Sequence, residues 1–214
     1  MSTIRFRTFR CSVCGKEYRF PVLTSTNTFG GSPDLDLRPP EMKRSTMPLW
    51  AQECPRCGFV SDRVSDTSSA TRKYLRSRAY RHCDGIPFRS PLAERFYKKH
   101  RICLLDGKTE GAFFAVLNAA WACDDAEDEA NAITCRRIAI ELIVRMLHEA
   151  DGEHETLIAM HADLMRRAGL FDELIGQYAG VSFNEEILNR IIAFQLDRAK
   201  EKDKACYRIS DTEE

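Results

Sequence analysis

What this chain lacks narrows its chemistry first. It has no run of about 20 uncharged apolar residues, the length a helix needs to cross a bilayer. Its most apolar stretch, from Ile138 to Leu147, is broken by Glu141 and Arg145. No apolar segment follows Met1, so a secretory leader is not expected and a cytoplasmic location is. Net charge is also missing, because 32 Lys and Arg stand against 32 Asp and Glu in 214 residues. Neither a phosphate loop nor a nucleophile–base set is present. His154 and His161 do not form the HExxH pair of zinc proteases. An enzyme is therefore not favoured, and no small-molecule substrate is indicated.

Cysteine, in contrast, is plentiful, with nine residues. An odd, scattered number argues against a disulfide framework, and paired Cys-x-x-Cys units in a reducing compartment point to metal or thiol chemistry. Cys11-Ser-Val-Cys14-Gly15 and Cys54-Pro-Arg-Cys57-Gly58 are two such units. The two-residue spacing lets both sulfurs of a unit face one ion. The glycine that follows accommodates a positive φ, so that backbone N–H groups can turn toward the sulfurs. Four thiolates complete the tetrahedral shell of a closed, structural zinc site, one ion per chain. Iron in a rubredoxin-like site is the alternative, and a redox dithiol a third.

The 39 residues between the units exceed the usual ribbon spacing of about 15–20, so residues 24–48 must loop out. A small ribbon has little core of its own. Loss of the metal, or Cys54→Ser, is therefore expected to unfold the N-terminal module and leave the helical part cooperative.

Within the loop, Ser32 to Pro40 reads SPDLDLRPP. In an extended strand Asp34 and Asp36 would project on one side, with Arg38 a step further along. These three are candidate binding residues for a basic peptide or a cation. The structural reading is an ion-pair set with Arg38 and Arg44 that fixes the loop. Charge is divided unevenly: residues 1–89 carry 16 Lys and Arg against 8 Asp and Glu, residues 90–214 carry 16 against 24. This suggests two modules with different partners, or two that attract each other. The basic stretch 72–81, with Tyr74 and Tyr80, makes nucleic acid one ligand class.

Ile4, Phe6 and Phe9 read as a short half-buried strand and Glu17 to Leu23 as its return. A basic helix is predicted from Asp66 or Thr67 through Arg81. Ser90 before Pro91 is an N-cap and first-turn pair that opens a helix to Leu105. Further helices are predicted over 110–123, with Phe113, Phe114, Leu117 and Trp121 on one apolar face, and over 127–149, 154–168, 171–179 and 183–202. His82, Cys83, His100 and Cys103 read as packing or surface residues, and Cys123, Cys135 and Cys206 as core or surface thiols.

The fold class expected is mainly α with a small β-rich part. A zinc-ribbon or rubredoxin-like module (1–62, with the loop 24–48) is followed by a basic helix and linker (63–89) and antiparallel helical hairpins (90–214). The segment HETLIAMHADLMRRAGLFDELIGQYAG resembles a tetratricopeptide repeat, though Leu174 stands where a small residue is usual and no proline closes it. FRCSVCGKEY, STNTFGGSPDLDLRPP and WAQECPRCGFV together are similar to an uncharacterised bacterial family that joins a four-cysteine zinc ribbon to tetratricopeptide-like helices. The resemblance implies zinc held by Cys11, Cys14, Cys54 and Cys57, a loop motif containing Asp34, Asp36 and Arg38, and a bacterial, cytoplasmic origin. It brings no known activity. The leading function is a non-enzymatic module for a protein or peptide partner, and a nucleic-acid-binding regulator is the alternative.

Overall fold

The computed structural model describes residues 2–149 and 154–213. The chain begins with an antiparallel hairpin, β1 (Thr3–Arg10) and β2 (Glu17–Ser25), in which Arg10 faces Glu17 and Phe6 faces Pro21. A second hairpin, β3 (Gln52–Glu53) and β4 (Val60–Ser61), forms a separate two-stranded sheet. Each cysteine unit is the turn of one hairpin. Pro21 is tolerated because both strands of a two-stranded sheet have a free edge.

β1 is longer than the predicted strand and exposed rather than half-buried, with Ile4 and Phe6 50% and 59% accessible. Among the described residues, nothing buries Ile4 and Phe6 on that face. Phe6 is shielded instead by the guanidinium of Arg19, 4.9 Å from its ring centre.

The basic helix predicted over 66–81 is two single turns, α2 (Arg72–Leu75) and α3 (Arg78–Arg81), following the four-residue helix α1 (Glu41–Arg44) of the excursion. Thr71 and Ser77 each accept the N–H three residues on and restart the chain. The break has a packing reason. Leu75 and Tyr80 are both buried in the same cluster, and in a continuous helix residues five apart point about 140° from each other.

The remaining helices follow the predicted order: α4 (Pro91–Leu105), α5 (Thr109–Asp124), α6 (Glu129–Glu149), α7 (Glu155–Arg167), α8 (Phe171–Tyr178) and α9 (Glu186–Lys200). Ser90 caps α4 by accepting the Ala93 N–H. α5 packs between α4 and α6, α7 follows α6, and α9 covers α7 and α8. α5 therefore has no single apolar face. It is buried from Ala115 through Cys123 on all sides, its alanines admitting close neighbours, while Phe114 is turned outward. Gly169, at φ +76°, turns α7 into α8, and His161 Nδ1 lies 2.7 Å from the Tyr178 hydroxyl between them. Among the described residues, no helix is long and apolar enough to cross a membrane.

The ribbon and the helices share a core. Met47, Ala51 and Val60 cluster with Phe96 of α4, Phe113 and Val116 of α5 and Leu164 of α7. A neighbouring cluster joins Cys11, Cys14, Cys54 and Phe59 to Tyr80 and to Ile102 of α4.

Candidate metal centre

The two cysteine units fold alike because they solve the same local problem. In each, the first cysteine donates its N–H to the carbonyl five residues on: Cys11 to Lys16 at 2.9 Å, Cys54 to Phe59 at 2.8 Å. The glycine after the second cysteine donates back to the first cysteine's carbonyl at 2.9 Å in both. Gly15 and Gly58 take φ of +72° and +73°, a conformation that costs other residues energy. The amides freed by these turns reach the sulfurs: Val13 and Cys14 toward Cys11, Lys16 toward Cys14, Phe59 toward Cys57.

Packing the two turns against each other brings all four sulfurs within 4.8 Å of one another, the one such group of three or more among the described residues. Cys11 Sγ–Cys57 Sγ and Cys14 Sγ–Cys54 Sγ are each 3.7 Å. A tetrahedron with metal–sulfur bonds of ~2.3 Å has edges of about 3.8 Å, so the donor set fits a metal ion. Without a cation, two of the thiols resist ionisation. Burial and neighbouring thiols push Cys57 well up, and burial also raises Cys11. For Cys14 burial acts upward as well, but the Lys16 N–H and the neighbouring thiols outweigh it and hold the thiol down. A bound cation would allow all four to ionise together. Four thiolates leave no coordination position open, which makes the centre suited to holding the fold.

The middle of the excursion between the units is an internal strut, although its first part, with Phe29, is exposed. Asp34, Asp36 and Arg38 are 3%, 0% and 5% exposed. The segment is a tight turn and not the extended strand predicted: Leu37 has φ +63°, and its N–H donates to the Asp34 carbonyl at 2.8 Å. Asp34 does pair with Arg44, at 2.7 Å. Asp36 instead accepts bonds from Trp121 Nε1 and Arg167 Nη1, both at 2.7 Å, and Arg38 pairs with Asp125 at 2.5 Å. Asp124 completes the network, bonded to Arg167 at 2.8 Å and to Arg136. Burial would raise the Asp124 carboxyl, but the guanidiniums of Arg136, Arg167 and Arg38 hold it below the usual range. Leu35 N–H and Pro33 carbonyl also pair with Tyr207 and Ile209 near the C-terminus.

Of the other candidates, His100 and Cys83 are internal, while His82 is exposed and Cys103 half-buried. His100 Nδ1 lies 3.0 Å from the Ala112 carbonyl, and Cys83 Sγ points at the Glu94 carbonyl at 3.9 Å. Cys123 and Cys135 are buried in the core and Cys206 is exposed. Arg167 and Asp124, which hold the excursion in place, carry no motif. Arg56, inside the second cysteine unit, was likewise not singled out by its sequence, yet it stands beside the sulfurs. Comparisons with family models, curated proteins and solved structures return no match to this chain.

Proposed function

We propose that this chain is a non-enzymatic, cytoplasmic binding protein in which one zinc ion is structural and recognition of a protein or peptide partner falls to the tetratricopeptide-like helices. The observation that carries this reading is an apolar cleft of about 160 Å³, bounded by Leu37 of the excursion, Ala159 and Met160 of α7, and Ile187 and Ile191 of α9. Leu37 and Ile187 are more than a third exposed there, and apolar side chains left open along a helical groove suit the anchor residues of a peptide. Nine unbonded cysteines fit a reducing compartment. The closed four-thiolate shell and the full engagement of His100 and His161 in the core support a binding role over catalysis. The test is capture of partners by metal-loaded protein beside an Ile187→Glu variant. A partner retained by the first and lost by the second is expected, and no partner, or equal capture by both, overturns the cleft reading. Metal analysis of the same samples separates zinc from iron, since iron would give visible absorbance.

A second reading, a nucleic-acid-binding regulator, is favoured by where the charges go. Four of the eight carboxylates of the first half pair with cations of the second: Glu53 with Arg95 and Lys98, Asp62 with Lys99, Asp84 with Arg101, Asp36 with Arg167. Those pairs run against the sense of the halves' net charges, and among the described residues the arginines beside the sulfurs, Arg56, Arg72, Arg76 and Arg81, join no ion pair and face outward. This reading expects salt-sensitive binding to DNA or RNA that is lost when Arg76 and Arg81 are neutralised.

A further inference from the structure

Beside the metal centre lies an open cavity of about 100 Å³ lined by Cys14, Cys57, Arg56, Arg72, Arg76 and Arg81. The four arginines come from three pieces of chain: Arg56 from inside the second cysteine unit, Arg72 and Arg76 from the two ends of α2, and Arg81 from the end of α3. Arg72 is pinned, its Nη2 donating to the Cys14 carbonyl at 3.2 Å, which ties α2 to the first unit and leaves its other N–H groups free. Among the described residues, no carboxylate lies in ion-pair range of any of the four, and the nearby acids Glu53, Asp62 and Asp84 are engaged by Arg95, Lys98, Lys99 and Arg101 on α4.

All four are exposed, so water screens part of their mutual repulsion, but an anion placed among them would still be attracted. Four thiolates around a divalent ion would supply about two negative charges, so the opening would keep a net positive charge that favours an oxyanion. Guanidinium forks bond bidentately to tetrahedral oxyanions, and the space, on the order of a few water molecules, takes one such group but no base beside it.

We propose that Arg56, Arg72, Arg76 and Arg81 form a phosphate-binding site built on the metal centre. The site stands apart from the peptide cleft and deepens the nucleic-acid reading only if its phosphate belongs to a polynucleotide. The shared ligand chemistry is a phosphate oxyanion, either free or in a phosphodiester backbone.

The test uses the full, metal-loaded chain, titrated with orthophosphate and, separately, with a fluorescein-labelled single-stranded DNA 12-mer at two salt concentrations. An Arg56→Gln/Arg81→Gln variant is compared with Arg78→Gln, which removes an equally exposed charge of α3 that does not line the cavity. Metal content of each variant is measured first, so that loss of the ribbon is not mistaken for loss of the site. At least about a tenfold fall in affinity is expected in the double variant, since charge-assisted bonds are lost, with little change in Arg78→Gln. Binding of orthophosphate but not of the oligonucleotide assigns a small phosphate ligand. Oligonucleotide binding that orthophosphate displaces, with a salt slope reduced by about one for each arginine removed, assigns a polynucleotide. Absence of binding by both, or equal losses in the double variant and in Arg78→Gln, overturns the proposal.

Discussion

The two cysteine units have nearly the same backbone and sulfurs buried in one cluster, but their flanking strands are packed differently. The first sits at the tip of a hairpin whose strand β1 is exposed along almost its whole length. It is tied to the rest by few links, among them the Ser12 N–H to the Val64 carbonyl at 2.9 Å and Arg72 to the Cys14 carbonyl. The second is embedded. Phe59 and Val60 are fully buried, and the Tyr80 hydroxyl donates to the Gly58 carbonyl at 2.7 Å. Turn geometry alone therefore makes a metal-binding half-site, and what differs is how each half is anchored. The second would keep much of its shape from packing, whereas the first depends on the shared ion.

Metal removal breaks the comparison most directly. Structural zinc contributes on the order of 10 kcal/mol to small folds. A strong chelator is expected to erase amide-exchange protection in β1, β2 and the first unit while Phe59 and Val60 keep part of theirs. Equal loss at both would mean that packing does not hold the second unit. Substitution in the apolar anchor comes next. Phe59→Ala should cost about 3–5 kcal/mol and lower the melting temperature of the whole chain. Phe9→Ala should cost about 1 kcal/mol, because Phe9 is half-buried and meets Phe20 at 6.4 Å. Denaturant titrations of the pair would show whether the asymmetry is real.

The strut supplies a third comparison of the same kind. Asp36→Ala leaves the buried Arg167 with Asp124 alone and Trp121 Nε1 without its acceptor, and should cost about 3–5 kcal/mol, whereas Asp34→Ala leaves an Arg44 that is already a quarter exposed and should cost less. Equal melting temperatures in the two variants would refute the strut. A pH-dependent effect lies in the helices. Burial depresses His161 to about 4, so between that value and the unfolded value near 6.5 the unfolded chain binds more protons than the folded one. Stability from this residue is present above pH 6.5 and lost as pH falls toward 4, about 3 kcal/mol in all. The stability difference between wild type and His161→Gln should change across that window, and a constant difference would assign the acid sensitivity elsewhere.

How legible these features were depends on how far apart in sequence their causes lie. The four-cysteine cluster could be read because two residues between thiols and a following glycine are a local requirement. The start of α4 could be read because Ser90 and Pro91 act within one turn. β1 was misjudged because alternation of apolar and charged residues shows that a strand has two faces but not that a layer covers either. The break at Arg76–Ser77 depends on a core that Leu75 and Tyr80 must reach together. Asp36 has a partner 131 residues away, and nothing near the motif reveals whether its charge meets solvent, a ligand or Arg167.

That last separation sets an order of events. On a growing chain the four sulfurs are complete once Cys57 has emerged, but the loop enclosed between them cannot yet settle. Its carboxylate at Asp36 needs Arg167, and its backbone at Pro33 and Leu35 needs Ile209 and Tyr207. Contacts of such long range form slowly, because the chain between them must first be ordered. The N-terminal part is thus among the first to have its four sulfurs and among the last to finish: Asp36 waits for Arg167, and the backbone at Pro33 and Leu35 stays unpaired until residues 207–209 have been made.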